Sequence, residues 1–223
     1  VGVMEEGRLL HPETGVYQGS VISPILANLY LHVVLDEWVE HTVKPRMKGE
    51  VTLFRFCDDF IVCFQYKGDA EKFHRVLPKR FERFGLTLHP EKTRLIEFGR
   101  FSEESARGRE QKPATFKFLG FVFFGNKTLN GSYCVGLKTI SKRLGRKLNE
   151  IRQWCKEHRH EPIWQQRIHL RQVMQGHYNY YGRRGNFRSL YQFSRGVIGA
   201  WKFWLGRRGQ KEYWGWDHFR PIF

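Results

Sequence analysis

A chain of 223 residues with 38 Lys and Arg against 22 Asp and Glu carries a formal charge of +16, a surplus that points to a polyanionic partner, with nucleic acid foremost. Its four cysteines, Cys57, Cys63, Cys134 and Cys155, form no CxxC pair and no regular framework, which argues against a zinc ribbon or a disulfide scaffold and for a reducing, intracellular setting. No apolar run approaches the roughly 18 to 20 residues needed to span a membrane, and no basic-then-apolar leader opens the chain, so a soluble protein with no membrane partner is expected.

Taken in order, the chain opens Val1-Gly2-Val3 without an initiator Met and reads as a fragment or a processed product. Gly2 and Gly7 bracket a turn or hairpin that leads to Gly15-Val16-Tyr17-Gln18-Gly19-Ser20. Ser23 as N-cap and Pro24 as first helical residue start a helix expected to run to about Val39, with Leu26, Leu29, Tyr30, Val33 and Val34 facing a core. Two β-prone runs, 51–56 and 60–64, flank Cys57-Asp58-Asp59 and predict a hairpin with acid at its tip. Residues 70–84 return to helical period through Phe73, Val76, Leu77 and Phe81, with a kink expected at Pro78 and a stop at Gly85.

Short strands are expected at 86–88 and 93–98, an exposed and disordered loop at 102–113, and a buried strand at 116–124 with one glycine bulge. From Thr139 onward the period is helical. Ile140, Leu144, Leu148, Ile151 and Cys155 make one stripe; Ile168, Val173 and Met174 belong to a second helix; Leu190, Phe193, Val197, Trp201 and Trp204 make a third. The aromatics of that third stripe read as core more readily than as base platforms. The result is an α+β chain, with an antiparallel sheet and helices over 1–137 and three helices over 138–223. Charge divides the same way: 138–223 hold 19 basic and 5 acidic residues, net +14, whereas 1–137 hold 19 and 17, net +2.

Asp58 and Asp59 are the chemically demanding feature. Taken alone, Asp-Asp is an ordinary polar turn. Two carboxylates about 4 Å apart nevertheless repel by about 4 kcal/mol at an effective dielectric near 20, and a cation, a proton or full hydration must offset that. Mg²⁺ suits such a pair, since it takes one or two carboxylates together with phosphate oxygens, and two such ions can hold both the attacking and leaving oxygens of a phosphoryl transfer.

The residues around the pair are specific. Gly15-Val16-Tyr17-Gln18-Gly19-Ser20-Val21-Ile22-Ser23-Pro24-Ile25-Leu26-Ala27-Asn28-Leu29-Tyr30-Leu31 resembles the QGSxxSPxLxNxxL block of group II intron reverse transcriptases. Phe56-Cys57-Asp58-Asp59 stands where that family has Tyr-Ala-Asp-Asp. Gly85-Leu86-Thr87-Leu88 with Glu91-Lys92-Thr93, then Phe118-Leu119-Gly120-Phe121, follow in the family's order. Gly176-His177-Tyr178-Asn179-Tyr180-Tyr181-Gly182 with Asn186 is similar to its thumb, or maturase, region. Two departures are Tyr17 where the family has Pro, and Phe56-Cys57 for Tyr-Ala, which keep a ring and a small side chain before the acids.

The resemblance implies part of a polymerase palm over 1–137 and an all-α RNA-binding thumb over 138–223. It implies an RNA-directed DNA polymerase that uses Mg²⁺ held by Asp58 and Asp59, with an RNA template, a DNA primer and dNTP as substrates. Gln18 and Gly19 would line the nucleotide and template pocket, Lys92 would face the incoming triphosphate, and Phe118-Leu119-Gly120-Phe121 would form a primer-grip hairpin. Arg183, Arg184, Arg188, Arg207 and Arg208 are the candidate phosphate contacts of the thumb. For each of these the plain alternative is a turn, a buried strand or a solvated face. The parent protein of a mobile bacterial intron would also bind intron RNA and assist splicing in the cytoplasm. The fingers and an upstream metal-binding Asp of the family precede the matching region, so the chain alone is expected to be inactive. No paired cysteines follow the thumb, so an HNH-type nuclease segment is not expected. Two rivals share these residues: a maturase-like RNA-binding splicing factor without chemistry, and a related reverse transcriptase serving another system, such as a CRISPR-associated one.

Overall fold

The computed structural model describes residues 22–209, together with the backbone of two short paired strands, β1 (Val3–Glu5) and β2 (Arg8–Leu10). It is an α+β chain whose sheets are all antiparallel. The expected turn that carries Gln18 and Gly19 lies outside the described residues. Contacts divide the chain into two compact units, Val1–Glu97 and Phe98–Phe223. The second unit therefore contains a sheet as well as the three expected helices.

In the first unit a helical course runs over 23–46. It comprises α1 (Ser23–Leu31), π turns at His32–Asp36 and Val39–Val43, and a final 3₁₀ turn at Lys44–Arg46. Pro24 occupies the first turn, as expected, but Ile22 is the N-cap and Ser23 the first helical residue. The buried face is Leu31, Val34, Leu35, Val39 and Val43, whereas Leu26, Leu29, Tyr30 and Val33 are exposed. The expected core stripe is thus corrected. Residues 25–35 are apolar on nearly every side, so periodicity could not choose a face, and a π turn rotates whatever follows it.

Strands β3 (Val51–Phe56) and β4 (Asp59–Phe64) form the expected hairpin, in register from Val51 opposite Phe64 to Phe56 opposite Asp59. Alternation sends Val51, Leu53, Arg55, Phe60, Val62 and Phe64 to one face, and these apolar side chains join the helical core. Helix α2 (Lys67–Glu82) covers that core with Phe73, Leu77 and Phe81, and Val76 is exposed. Arg80 of α2 donates to the carbonyls of Val34 at 3.1 Å and Val33 at 3.4 Å, inside the first π turn, where α-helical pairing is interrupted and carbonyls need other partners. Gly85 ends this region with a φ of +67°. Residues 86–88 and 93–98 are not strands: no neighbouring edge among the described residues pairs with them, and Leu86 and Leu88 pack instead on the core.

The second unit begins with α3 (Ser102–Gly108), where a loop is expected. Ser102 and Ala106 are buried, Ser102 Oγ donates to the Gly99 carbonyl, and Glu103 pairs with Arg107 one turn on; these local bonds organise a polar run that hydropathy alone reads as loop. Strands β5 (Phe116–Phe118), β6 (Phe121–Lys127) and β7 (Tyr133–Thr139) form a three-stranded sheet. Leu119 and Gly120, with φ of 47° and 83°, make the two-residue turn between β5 and β6, so Gly120 marks a primed-type hairpin turn and not a bulge.

Helices α4 (Ser141–Glu157), α5 (Ile163–Tyr181) and α6 (Phe187–Leu205) follow. Their core is Leu144, Ile151, Cys155, Leu170, Met174, Phe193, Val197, Trp201 and Leu205. Ile168 is half exposed and takes no part. Gly196 sets the closeness of α4 and α6, because a Cβ there would lie 2.7 Å from Leu148 Cδ2. Two buried amides fix the ends of the helices. Gln166 accepts from Trp201 Nε1 at 2.8 Å and donates to the Glu161 carbonyl at 2.9 Å. Asn186 accepts from the Thr139 N–H and donates to Thr139 Oγ1 and the Tyr181 carbonyl, each at 2.9 Å, which joins the end of β7 to the α5–α6 connection.

His177 stacks on Phe193 with ring centroids 3.6 Å apart. Burial, with a smaller contribution from the Lys147 charge, pushes its imidazole down to about 4. A depressed histidine is protonated in the unfolded chain before the folded one, so its contribution to stability is complete above pH 6.5 and is lost as pH falls towards 4. Thermal unfolding should therefore show a lower midpoint at pH 5 than at pH 7, and His177→Phe should shrink that difference; an unchanged difference would show that His177 is not its source.

Candidate active site and nucleic-acid surface

Two-residue hairpin loops match the twist of the strands when their backbone enters positive φ. Here the loop is Cys57-Asp58, closed by the Phe56–Asp59 pair. Cys57 takes the positive value, 54°, a conformation that costs a residue with a Cβ about 1 to 2 kcal/mol. Asp58 is the second loop residue and Asp59 the first of β4, and both are exposed. The sequence thus brings two carboxylates together at one tip, and no ion pair engages either among the described residues. Asp59 shares the open face of the hairpin with its cross-strand neighbour Phe56 and with Phe54, which are 61% and 53% exposed. An acidic tip beside two bare rings has the chemistry to meet a hydrated cation and an apolar or stacking surface together.

Behind the tip lies a network that motif reading passed over. Arg55 faces the helical side and forms a fork with Asp36, Nε to Oδ1 at 2.7 Å and Nη2 to Oδ2 at 2.5 Å. Its remaining Nη1 donates to Asn28 Oδ1 at 2.8 Å and to the Cys57 carbonyl at 3.0 Å. The Arg55 guanidinium holds the Asp36 carboxyl below its ordinary range, with help from His32. Asn28 was visible as a member of the first motif, but its partner could not be read without the fold.

Lys92 is exposed in a turn whose backbone closes from Lys92 and Thr93 to the His89 carbonyl. No hydrogen bond or ion pair joins it to Asp58 or Asp59 among the described residues.

In the second unit the Leu119–Gly120 turn rests on α4 and α5. Tyr180 donates to the Leu119 carbonyl at 3.0 Å, Phe121 stacks on Tyr180, and a Cβ on Gly120 would come within 2.9 Å of Arg143 Nη1. The five candidate arginines fall at opposite ends of α6. Arg183 and Arg184 lie in the α5–α6 connection and Arg188 in the first turn, all exposed, whereas Arg207 and Arg208 follow the last turn. Arg188 and Arg207 are 19 positions apart along and just past α6, about 28 Å at 1.5 Å per residue. Arg207 lies 3.4 Å over the Phe203 ring. Arg208 donates to the carbonyls of Arg159 and Glu161. Beside Arg188 the structure adds two rings that sequence reading missed, Phe187 and Tyr191, which are 76% and 55% exposed and stacked on each other. Their signal was their position off the buried stripe of Phe193, Val197 and Trp201.

Residues 4–123 match the family model described as reverse transcriptase (RNA-dependent DNA polymerase). The chain belongs to that family. The match includes the hairpin that presents Asp58 and Asp59 and continues to β6 of the second unit. No curated protein matches this reverse transcriptase chain. Membership carries RNA-directed DNA polymerase chemistry in general, with nucleic acid and deoxynucleoside triphosphates as substrates. No helix among the described residues is long and apolar enough to cross a membrane.

The placement of the arginines separates structural from available charge. Arg208→Ala removes one donor each from the carbonyls of Arg159 and Glu161, which Gln166 Nε2 also reaches, and should lower stability by about 1 kcal/mol. Arg184→Ala should fall within about 0.5 kcal/mol of the parent. Urea unfolding of both variants checks this, and equal midpoints would remove the distinction.

Proposed function

We propose that this reverse transcriptase is of the group II intron type and extends a DNA primer on an RNA template, with residues 1–137 forming part of the palm and 138–223 an RNA-binding thumb. The observation that carries the reading is the Cys57-Asp58 turn, which sets two unpaired carboxylates at an exposed hairpin tip inside the segment that matches the family. Asp58 and Asp59 would hold Mg²⁺. Two carboxylates fit that ion, which keeps its other positions for water and phosphate oxygen. Among the described residues no third His, Cys, Asp or Glu joins them. Bound there, Mg²⁺ supplies activation of the primer hydroxyl and neutralisation of phosphate charge.

The protein groups have separate tasks. Asp58 is a direct ligand of the metal, and Asp59 is a second ligand or a support for it from the adjoining strand. Gln18 and Gly19 line the nucleotide and template pocket, the glycine by allowing close backbone approach. Lys92 offsets triphosphate charge or donates a proton to leaving pyrophosphate. The Leu119–Gly120 hairpin supports the primer end. Arg183, Arg184 and Arg188, exposed at the start of α6, contact phosphates of template and intron RNA, whereas Arg208 is committed to the carbonyls of Arg159 and Glu161; the parent protein thereby also assists splicing in the bacterial cytoplasm. Support for the RNA-binding role is the net charge of +14 over 138–223.

Primer extension on an RNA template with Mg²⁺ tests the polymerase reading, comparing the full protein with its Asp58→Ala variant. Extension by the wild-type protein and its loss in Asp58→Ala are expected. A wild-type protein that binds RNA and never extends would instead be a splicing factor.

RNA affinity should fall steeply with salt. Neutralising roughly six phosphates gives a slope of log K against log salt of about −4 to −5. Arg183→Ala with Arg184→Ala should flatten it, and Asp58→Ala should leave it unchanged; the opposite pattern would overturn the division of labour.

A further inference from the structure

We propose that Arg55 is a positioning residue for the acidic turn, held in orientation by Asp36 and acting on Asp58 through the Cys57 carbonyl. The assignment rests on the reading of Asp58 as a metal ligand, and it concerns what keeps that ligand aimed.

A guanidinium has five N–H donors in a rigid plane. In Arg55 two nitrogens, Nε and Nη2, make the fork to Asp36, which fixes the plane because a bidentate pair leaves no freedom to swivel. The third nitrogen then points where the fork dictates. It meets the Cys57 carbonyl at 3.0 Å and Asn28 Oδ1 at 2.8 Å. That carbonyl belongs to the peptide plane shared by Cys57 and Asp58. Peptide planes are rigid, so fixing one end of it fixes the direction in which the Asp58 Cα leaves the turn.

The tie is needed because Cys57 stands at a φ of 54°, which a residue with a Cβ leaves when nothing opposes it. Asn28 closes the arrangement from the other side, its Nδ2 lying 3.9 Å from Cys57 Sγ. A lysine could pair with Asp36 but could not also reach the turn in a fixed plane.

The helix is built to supply both partners. Asn28 and Asp36 are eight residues apart, which in a regular α-helix puts them about 80° out of line. The π turn at His32–Asp36, marked by the Glu37 N–H bonding the His32 carbonyl, advances fewer degrees per residue than an α turn. It rotates Asp36 back towards Asn28, and both reach one guanidinium. An anchor for the hairpin alone would need only the Asp36 fork. The bonds from Nη1 act on the turn itself.

The test uses two variants of the whole chain. Arg55→Lys keeps the charge and removes the fork; Asn28→Ala leaves the fork to Asp36 intact and removes one partner, so the fold persists even if the first variant is unstable. A φ of 54° places the Cys57 amide proton close to its own Hα and gives a strong intraresidue NMR cross-peak. In Arg55→Lys that cross-peak should be lost, and in Asn28→Ala, which keeps the Nη1 bond to the Cys57 carbonyl, it should weaken, while the signals of residues 67–82 stay in place. In primer extension by the full protein, Arg55→Lys should lower kcat by about 10²-fold and Asn28→Ala by less, with KM for dNTP unchanged in both, as expected for a misplaced group. Retention of the cross-peak in both variants would overturn the proposal, as would loss accompanied by shifts throughout 67–82, which would make Arg55 a general support of the fold. An Asp58→Ala protein that still extends primers would instead overturn the metal-ligand reading and leave the NMR result standing.

Discussion

Much of the first unit depends on one ionic fork, that of Arg55 with Asp36. The pair is partly buried, with side chains 13% and 26% exposed, so water screens it less than an exposed bridge and both partners must be fully hydrogen-bonded. That condition is met: three guanidinium nitrogens have acceptors, and Asp36 also receives His32 Nδ1 at 3.2 Å. The fork lies where the helical course meets the hairpin, at the end of the core-facing row that begins with Val51 and Leu53. Apolar packing continues along the rest of that row, through Phe60, Val62 and Phe64 against Phe73 and Phe81. Apolar contacts hold the sheet to the helices without direction; the fork adds direction at the end where direction matters, next to the acids.

The second unit solves the corresponding problem with neutral groups. Asn186 and Gln166 are each 1% exposed, and neither carries charge into the core. Their amides satisfy backbone groups left open where helices begin and end, which is the costliest place to bury a polar atom without a partner. The result is a helical core in which Phe193, Val197 and Trp201 pack tightly while the ends of α5 and α6 stay in register with β7. Tyr180 carries that register to the Leu119–Gly120 turn.

How much of this was legible in the sequence follows from the kind of signal. The β3–β4 hairpin and α2 were readable because alternation and a 3.6-residue period each persisted over several residues with a turn or glycine at the end. The α6 stripe was readable for the same reason. The exposed side of α1 was not, since Leu26, Leu29 and Val33 are as apolar as the buried Leu31, Val34 and Leu35, and only the tertiary partner distinguishes them. Strand β7 was missed because Tyr133-Cys134-Val135-Gly136-Leu137 is short and its glycine reads as a break. In the structure Gly136 is buried beside Phe124, where a Cβ would lie 2.5 Å from the ring. Asp58 and Asp59 were legible as a pair, yet Arg55 was hidden in plain view. Its importance comes from a residue 19 positions earlier, and from a π turn that no local propensity announces.

The same distinction bears on charge. A formal +16 treats every Lys and Arg alike, but a cation already paired or buried against carbonyls releases few counterions from a nucleic acid. Arg55 belongs to Asp36, Arg80 to the carbonyls of Val33 and Val34, and Arg208 to those of Arg159 and Glu161. Arg183, Arg184 and Arg188 are exposed and stand beside the bare rings of Phe187 and Tyr191. Affinity for a polyanion scales with phosphates actually neutralised, so the formal charge sets a ceiling and geometry sets the working value. On the proposed reading the composition of the basic region fits a nucleic-acid partner, and the arrangement of its side chains puts exposed charge and stackable rings together at the start of α6, where the two kinds of contact would act on one strand.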